Sequence, residues 1–413
     1  MANIKPFDAL RPLPELTLEL CELPYDVLSS AEARQQAQSK PLSFFHVSKP
    51  EIDLPEDTDP YSPAVYAKAR ENFLKLIDQG ALRRESSACF YLYRQIMGAH
   101  SQTGIVGAAS CSDYLNGRIK KHELTRPDKE DDRVRHIEAL NSQTGPVFLT
   151  YRAVSVVNRF VENLTDGLPD IDFVAPDGVR HTSWTVDAAE DIAFLENAFA
   201  TMPALYIADG HHRCAAAARV YESRQGSGES GSFLSVIFPH NQMQILPYNR
   251  VLQDLNGMTP EQLLSRLKTV FEIQKDAANP QPGVKHELGF YFQGRWSGLR
   301  FRSHQPLRQT GLSASPNDPL ELLDVTLLQK RVLAPLFGID DPRTSKRVSF
   351  VGGIRGTGEL EKLVNGGGYA CAFSMFPTSI VDLMSIADAG GIMPPKSTWF
   401  EPKLRDGMFC HMI

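Results

Sequence analysis

The twenty residues LYIADGHHRCAAAARVYESR, at positions 205–224, constrain the fold more than any other part of the chain. Residues 205–208 are apolar and partly β-branched, which predicts a short buried strand. Gly210 interrupts this pattern. The alanine-rich run that begins at Cys214 and reaches about Arg224 predicts a helix, because alanine has the highest helix propensity. The stretch is therefore predicted to form a strand, a tight turn and a helix.

The turn in this stretch carries the run Asp209-Gly210-His211-His212-Arg213. The first turn of a helix has unpaired N–H groups and the positive end of the helix dipole, so it binds anions. Arg213 and the two imidazoles would complete a cradle for phosphate. Asp209 follows the strand directly, at the edge where α/β sheets bind ligands. Its carboxylate is a candidate ligand for the Mg²⁺ that accompanies phosphates.

A purely structural interpretation of this run stays open. His211 and His212 would then only cap a core helix, and Asp209 would form a local turn. The functional interpretation is favoured because five polar or glycine residues are packed between an apolar strand and an alanine-rich helix. A zinc site built from Asp209, His211 and His212 ranks lower, since adjacent histidines rarely both point at one metal ion.

Composition narrows the class of protein. The chain has 413 residues, enough for two or three domains. Hydrophobic residues make up 42% and charged residues 22%, as is typical of globular proteins. The formal net charge of -6 argues against a large nucleic-acid-binding surface. A nucleic-acid partner is therefore not expected.

The sequence also indicates a cellular compartment. No apolar run approaches the ~20 residues needed to cross a bilayer. The first residues, MANIKPFDALRPLPE, lack the apolar core of a signal peptide. The six cysteines are scattered without a Cys-x-x-Cys pair, which indicates reduced thiols and gives no zinc signature. We expect a cytoplasmic protein without a membrane partner.

Apolar periodicity and turn signals predict a mixture of helices and strands along the whole chain. Helices are predicted after an N-cap at Ser29 or Ser30, over residues 61–79 and 187–199, after an N-cap at Thr259, and over residues 322–338. Strands are predicted over residues 41–49, 89–97, 102–110, 145–157, 232–239 and 369–377, with a hairpin over 172–186 that turns at Asp177-Gly178. Residues 276–318 are predicted to form edge strands and loops. Residues 347–364 predict a strand, a Gly-rich turn and a helix, but the glycine spacing is neither Walker A nor Rossmann.

A second polar stretch, GRIKKHELTRPDKEDDRVRHIEAL, covers residues 117–140. Thr125 is a candidate N-cap and Pro127 suits the first turn of the helix that follows. Glu123 then lies in the turn before the helix, where its carboxylate is a candidate general base. The alternative is that the whole block is the charged, solvated start of a helix. Composition alone favours that alternative, because runs of charge usually lie at the surface.

A third stretch, GIMPPKSTWFEPKLRDGMF, covers residues 391–409. It places Lys396, Ser397 and Thr398 directly behind two prolines. Proline stiffens a loop and reduces the entropy lost on ordering it, so the loop suits a preformed clamp for substrate or phosphate. The alternative is a tail pinned to the core by Trp399 and Phe400. The residues alone do not decide between the two.

Together, three of these segments resemble a known family. Residues 205–224 resemble the phosphate-binding signature of the ParB/sulfiredoxin-like superfamily. Within it, the chain is similar to the archaeal ADP-dependent free-serine kinases, which carry Lys-x-His-Glu, Asp-Gly-His-His-Arg and Pro-Lys-[Ser/Thr]-Thr in that order. The matching segments here are residues 120–123, 209–213 and 395–398. The whole chain also resembles an uncharacterised bacterial family of conserved proteins that share these segments.

The resemblance implies an α+β fold with a ParB/sulfiredoxin-like mixed-sheet core. The phosphate-binding core would cover residues 101–255, between an N-terminal α/β extension over 1–100 and a C-terminal α/β domain over 256–413. The C-terminal domain would complete the site. A homo-oligomer is one option for the assembly.

The resemblance also implies roles for individual residues. Glu123 would be the base that takes the proton from the hydroxyl group of serine. Lys396, Ser397 and Thr398 would hold the amino acid or its phosphate. The remaining site residues would act on the donor phosphates: Lys121, His122, Asp209, Gly210, His211, His212 and Arg213. Among these, Asp209 would also bind the metal ion, and Asp209, His211 and His212 would have catalytic roles.

The predicted function is therefore that of a phosphotransferase acting on a small hydroxyl metabolite, similar to a free-serine kinase, with ADP or ATP and Mg²⁺. The chain departs from the kinases in having Trp399-Phe400 where they have Arg-His, which leaves the acceptor open. One alternative is a phosphatase of a small phosphorylated metabolite such as phosphoserine. Another is a ParB-like nucleotide-binding switch without catalysis, which the acidic charge balance disfavours.

Overall fold

The computed structural model describes residues 2–302 and 318–413 and shows a mixed α/β fold with a large mixed sheet. Contacts group the chain into two units, Met1–Met243 with Pro402–Ile413, and Gln244–Glu401. The division into three domains at residues 100 and 255 stays a prediction. Part of the segment predicted as edge strands and loops, residues 303–317, lies outside the described residues.

The strands, numbered along the chain, are β1 Ile4–Lys5, β2 Leu10–Pro12, β3 Leu82–Arg84, β4 Phe90–Met97, β5 His100–Ser110, β6 Ile119–Lys120, β7 Ser142–Gln143, β8 Val147–Tyr151, β9 Ile171–Val174, β10 Arg180–Val186, β11 Leu205–Asp209, β12 Ser232–Pro239, β13 Gln244–Leu246, β14 Tyr248–Leu252, β15 Phe271–Lys275, β16 Glu287–Phe292, β17 Arg295–Phe301, β18 Val348–Gly352, β19 Cys371–Met375, β20 Trp399–Glu401 and β21 His411–Met412.

The α-helices are α1 Thr17–Leu20, α2 Ser30–Ala37, α3 Phe45–Ser48, α4 Pro63–Asp78, α5 Cys111–Leu115, α6 Pro127–Leu140, α7 Ser155–Thr165, α8 Ala189–Ala200, α9 His211–Ser223, α10 Pro260–Val270, α11 Asp324–Leu328, α12 Ala334–Phe337, α13 Gly356–Asn365 and α14 Ile380–Asp388.

A nine-stranded mixed sheet forms the centre of the first unit, in the order β6-β11-β8-β12-β5-β4-β10-β9, with β1 added to β5. The pairs β6–β11 and β8–β12 are parallel, and the other pairs are antiparallel. The core against this sheet contains fully buried apolar residues such as Leu149, Ile207 and Ile237. Helix α9 contributes Cys214 and Ala217 to the same core. Short side chains let a helix approach a sheet closely, which explains the alanine-rich run.

The second unit contains a six-stranded sheet in the order β15-β17-β16-β19-β14-β18, with all neighbours antiparallel. Its core includes Val251, Tyr291 and Leu360, the last from α13. The first and last strands of the unit, β13 and β20, pair antiparallel, so that Gln244 lies opposite Glu401. The two ends of the unit therefore meet.

Local sequence signals are confirmed at several elements. Ser29 and Thr259 both form capping boxes at the starts of α2 and α10. The hairpin β9–β10 turns at Asp177 and Gly178, and Gly178 has a φ of 80°, which glycine adopts without strain. These signals depend only on neighbouring residues, which is why the sequence was sufficient to predict them.

The strand predicted over residues 41–49 is wrong. Residues Phe45–Ser48 form helix α3, and Pro50–Asp53 form a 3-10 turn. Phe44, Phe45 and Val47 are all fully buried, whereas a strand with one buried face alternates. Burial at neighbouring positions and three residues apart fits a helix, and tertiary packing therefore decides this segment.

The start of α6 also differs from the prediction. The N-cap is Arg126 rather than Thr125, with Pro127 as the first helical residue. The backbone N–H groups at the start of a helix have no partner within the helix. Here the Arg126 N–H donates to Nε2 of His212 at 3.1 Å, so the imidazole of a residue distant in sequence provides the acceptor. Helix α9 begins at His211, three residues before the predicted Cys214, which places both histidines in its first turn.

Candidate functional site

The junction of β11 and α9 turns at a single glycine. Gly210 has φ 92° and ψ 31°, a left-handed conformation that disfavours residues with a Cβ. This turn sends the chain from the carboxyl end of β11 straight into the helix. It therefore places Asp209 at the end of the strand and His211 at the first position of the helix.

Two parallel strands bring distant polar segments to one edge of the large sheet. Strand β6 pairs with β11 in register, with Ile119 opposite Leu205 and Lys120 opposite Tyr206. Because parallel strands end at the same edge, the residues that follow them continue side by side. Glu123 follows β6 by three residues, as Asp209 follows Tyr206 by three. The sequence predicted both segments but not that their strands pair.

The Glu123 carboxylate lies beside the first histidine of α9. Its Oε2 is 4.0 Å from Nδ1 of His211. The Glu123 side chain is 44% exposed, whereas the His211 side chain is 5% exposed. A carboxylate that reaches solvent thus stands directly against a buried imidazole.

A second buried imidazole packs against the first. The rings of His122 and His211 meet edge to face, with their centroids 4.5 Å apart. The His122 backbone N–H donates to Nε2 of His211 at 3.5 Å. Burial lowers the pKa of His122 to about 4, although Asp209 acts in the opposite direction. Burial, together with His122, also lowers the pKa of His211 well below its usual value. Both rings are therefore uncharged at neutral pH.

Asp209 is held by a cation that the sequence did not single out. Its Oδ2 lies 2.9 Å from Nζ of Lys403, and its Oδ1 accepts a hydrogen bond from the Gly210 backbone N–H at 2.8 Å. Burial alone would raise the pKa of this carboxyl group, but Lys403 and Arg213 lower it below the usual value. Both oxygens are engaged, and an ammonium group stands at one of them. The residues present do not fit a Mg²⁺ ion bound directly by Asp209.

Arg213 lies in the interior of the first unit. Its guanidinium donates to the Pro146 carbonyl at 2.7 Å and to the Asp26 carboxylate at 3.3 Å. It also stands over the ring of Tyr25, 5.6 Å from the centroid. Its role toward donor phosphates stays a prediction. Neither Asp26 nor Tyr25 carried a sequence signal.

His212 serves the neighbouring helix. Its Nε2 accepts the hydrogen bond from the Arg126 backbone at the start of α6. Burial lowers its pKa. His212 therefore does cap a helix, but α6 rather than its own. Lys121 is exposed, with its ammonium group 5.9 Å from the centroid of the Tyr114 ring.

The predicted clamp belongs to the second unit and is held by hydrogen bonds within it. Lys396 has a φ of 58°, its carbonyl accepts a hydrogen bond from Arg250 at 3.2 Å, and its ammonium group lies 5.4 Å from the Tyr248 ring centroid. The Ser397 hydroxyl donates to the carbonyl of Pro394 at 2.6 Å. These contacts hold the loop backbone, and the Ser397 hydroxyl donates within the loop itself.

The residues that follow this loop form a strand. Thr398 precedes β20, in which Trp399 pairs with Leu246 and Phe400 pairs with Ile245. The Trp399 ring also packs edge to face against Tyr248, 5.1 Å between centroids. The interpretation of these two aromatic residues as an anchor for the tail therefore holds within the second unit. A clamp and an anchored tail are compatible, because the anchor is what holds the loop.

Across residues 2–302 and 318–413, every helix falls short of the length and apolar character that a bilayer crossing demands.

The solved structures similar to this chain are distant. SbnI with a C-terminal truncation, from Staphylococcus aureus, has a TM-score of 0.39 and 10% identity, and the match covers 73% of this chain and 85% of that one. A free serine kinase in complex with AMP has a TM-score of 0.35 and 12% identity, covering 72% of this chain and 86% of the kinase. A conserved hypothetical protein from Pyrococcus furiosus has a TM-score of 0.35 and 12% identity, covering 75% and 95%. Likenesses this distant carry no inference about function.

Sequence comparison gives a clearer result. No curated protein matches the chain at a significant level. A family model described as "Protein of unknown function (DUF1015)" matches residues 4–326, well over half of the chain. The chain therefore belongs to the DUF1015 family.

Proposed function

We propose that this protein is a phosphotransferase that moves a phosphoryl group from a nucleotide to a hydroxyl group of a small metabolite. The observation that carries the proposal is the half-exposed Glu123 carboxylate beside buried His211, at the edge where β6 and β11 end. Phosphoryl transfer asks little covalent chemistry of a protein. It needs positioned reactants, charge neutralisation on the phosphate oxygens and a base near the acceptor hydroxyl.

Glu123 is the proposed base. Its exposure lets an acceptor reach the carboxylate from solvent, while His211 behind it is almost inaccessible. Because His122 and His211 are uncharged at neutral pH, they do not neutralise the carboxylate. The proton of the acceptor hydroxyl passes to a Glu123 oxygen as the acceptor oxygen attacks phosphorus, and the nucleotide leaves with the bonding electrons.

Positive charge at this edge supports an anionic donor. The first turn of α9 presents the positive end of a helix of 13 residues. The Lys403 ammonium group lies at the preceding strand end, 2.9 Å from Asp209. Lys121 adds an exposed cation on the segment that follows β6. The donor phosphates would lie against these groups, and Lys403 takes the neutralising role that the sequence assigned to a metal at Asp209.

The finer expectations rest on the three ordered motifs. The Lys-x-His-Glu segment, the turn before α9 and the Lys396–Thr398 loop support serine as acceptor and a ParB/sulfiredoxin-like core, as in the kinases they resemble. Trp399 and Phe400 depart from that pattern and widen the choice to other small hydroxyl metabolites.

A transfer assay tests the proposal. Full-length protein is incubated with ADP or ATP, with and without Mg²⁺, and with serine or other hydroxyl metabolites, and phosphorus NMR follows the products. We expect a new phosphoester only when both nucleotide and acceptor are present. A parallel reaction holds phosphoserine without nucleotide, because release of phosphate there identifies a hydrolase instead.

Ligand binding gives an earlier readout. A nucleotide that binds only the folded protein stabilises it and so raises its melting temperature. At a nucleotide concentration of a hundred times Kd, the free energy of unfolding rises by about 2.7 kcal/mol. A folded sample that shows neither a shift nor transfer with any nucleotide would refute the proposal.

A further inference from the structure

Three side chains at the carboxyl edge of β6 and β11 have the composition of a metal site. His122, Glu123 and His211 each offer one ligand atom, and these atoms lie within 4.8 Å of one another. His122 and Glu123 follow β6, whereas His211 begins α9 directly after the turn that follows β11. The parallel pairing of the strands is what brings the three together.

His122 is prepared as a ligand by its surroundings. His122 is 2% exposed, and its ring donates a hydrogen bond to the Ile207 backbone. Its Nδ1 has no hydrogen-bond partner among the described residues. A buried nitrogen without a partner is costly. A histidine that binds a metal usually donates its other ring N–H to a carbonyl or carboxylate, which leaves a lone pair for the ion. His122 shows this arrangement.

His211 and Glu123 complete a mixed donor set. His211 faces Glu123 through Nδ1, 4.0 Å from the carboxylate Oε2, so Nδ1 is its ligand atom. The Glu123 carboxylate supplies a negative charge and is accessible from solvent, which gives an ion a way in. Two imidazoles and one carboxylate suit Zn²⁺ and neighbouring first-row ions, whereas Mg²⁺ prefers oxygen ligands alone.

We infer that His122, Glu123 and His211 bind one divalent first-row transition-metal ion, such as Zn²⁺, Mn²⁺ or Co²⁺, with at least one coordination position open. The site differs from the Mg²⁺ site predicted at Asp209, whose oxygens are taken by Lys403 and Gly210. A metal ion lowers the pKa of a water or hydroxyl bound at its open position. Only one Glu123 oxygen would bind the ion, and the other would take the proton from the acceptor.

Cobalt binding tests the inference directly. Full-length protein is treated with a chelator, freed of it, and titrated with Co²⁺ while the visible absorption of the ion is recorded, with Zn²⁺ titrated by calorimetry. We expect one ion per chain. Glu123→Gln, a change at a half-exposed position, is expected to weaken binding by about 100-fold or more, because loss of a residue that only hydrogen-bonds to a metal ligand already costs about 10–100-fold. His211→Ala is expected to do the same, with its folding checked by melting.

His212→Gln is the matched control. His212 is the next residue of α9 but is not part of the group, and glutamine can still accept the hydrogen bond from Arg126. Its Co²⁺ affinity is expected to equal that of the unmodified protein. The inference is overturned if no ion binds in a one-to-one ratio, or if Glu123→Gln binds Co²⁺ as tightly as His212→Gln.

Because Glu123 belongs to both proposals, metal binding is measured without turnover. If the protein transfers a phosphoryl group from a nucleotide but binds no Co²⁺, the inferred metal site is refuted and the proposed phosphotransferase activity is supported. If the protein binds one Co²⁺ per chain but transfers no phosphoryl group, the metal site is supported and the phosphotransferase proposal is refuted.

Discussion

Lys403 and Asp209 form a half-buried ion pair, although almost half of the chain lies between them in sequence. Their charged atoms are 2.9 Å apart, and the Lys403 side chain is only 11% exposed. Burial alone would raise the pKa of Asp209, but Lys403 and Arg213 lower it below the usual value. A carboxyl group with a lowered pKa in the folded state stabilises the protein above its unfolded pKa, and this stabilisation is lost as the pH falls.

Removing the cation should therefore leave a poorly solvated carboxylate. We expect Lys403→Met to lower the free energy of unfolding by about 2 kcal/mol at pH 7, less than the 3–5 of a fully buried pair because Asp209 is partly exposed. Urea unfolding measures the change. The control Arg84→Met breaks the exposed pair with Asp8 and should cost about 0–1 kcal/mol. Equal losses in the two variants would show that the Lys403 pair is an ordinary surface contact.

At the scale of elements, the junction between β11 and α9 depends on Gly210. Its φ of 92° is unfavourable for any residue with a Cβ, whereas the space around it is ordinary, with the nearest atoms 3.5 Å from an added Cβ. We expect Gly210→Ala to cost about 1–2 kcal/mol from backbone strain. Gly210→Asn should cost less, because asparagine tolerates the left-handed region. Denaturant unfolding compares the two, and the opposite order would mean that contacts rather than φ decide the turn.

Protonation of His136, a buried residue of helix α6, should destabilise the protein in acid. His136 is buried, its Nε2 donates to the Val47 carbonyl at 2.9 Å, and burial, with Arg133, lowers its pKa to about 4. Between about pH 6.5 and pH 4 the unfolded chain binds a proton that the folded chain does not, so stability falls as the pH falls. Between pH 6.5 and pH 4, the free energy of unfolding should fall by up to about 3 kcal/mol more in the unmodified protein than in His136→Gln, as measured by urea unfolding at each pH. Parallel pH dependences in the two proteins would contradict the assignment.

The elements also show what the sequence could predict. The strand, turn and helix of residues 205–224 were predicted because propensity and turn chemistry act between neighbours. Strand β6 has two residues, too few for a periodic pattern, and its pairing with β11 is a contact between distant segments. The contact between Glu123 and His211 therefore could not be derived from local sequence patterns. Lys403 had no signal, because its role comes from contact with Asp209 across the fold.

At the scale of the whole molecule, the second unit is an insertion. It covers Gln244–Glu401, and the first unit resumes with Pro402–Ile413. Because β13 and β20 pair at the ends of the insertion, residues 243 and 402 lie at a spacing that a short linker can bridge. We expect a protein with residues 244–401 replaced by a short Gly-Ser linker to melt in one cooperative transition, read by circular dichroism. The isolated residues 244–401 serve as the partner sample, and loss of cooperative melting in the shortened chain would show that the units do not fold separately.

The phosphoryl-transfer rate of Glu123→Gln tests the central claim most directly. Glu138→Gln, an exposed position on α6, is the control. If Glu123 is the base, its replacement should lower turnover by about 10²–10⁴-fold, while the melting temperature and the rate of the control stay unchanged. A folded Glu123→Gln variant that transfers phosphate at the full rate would contradict the account.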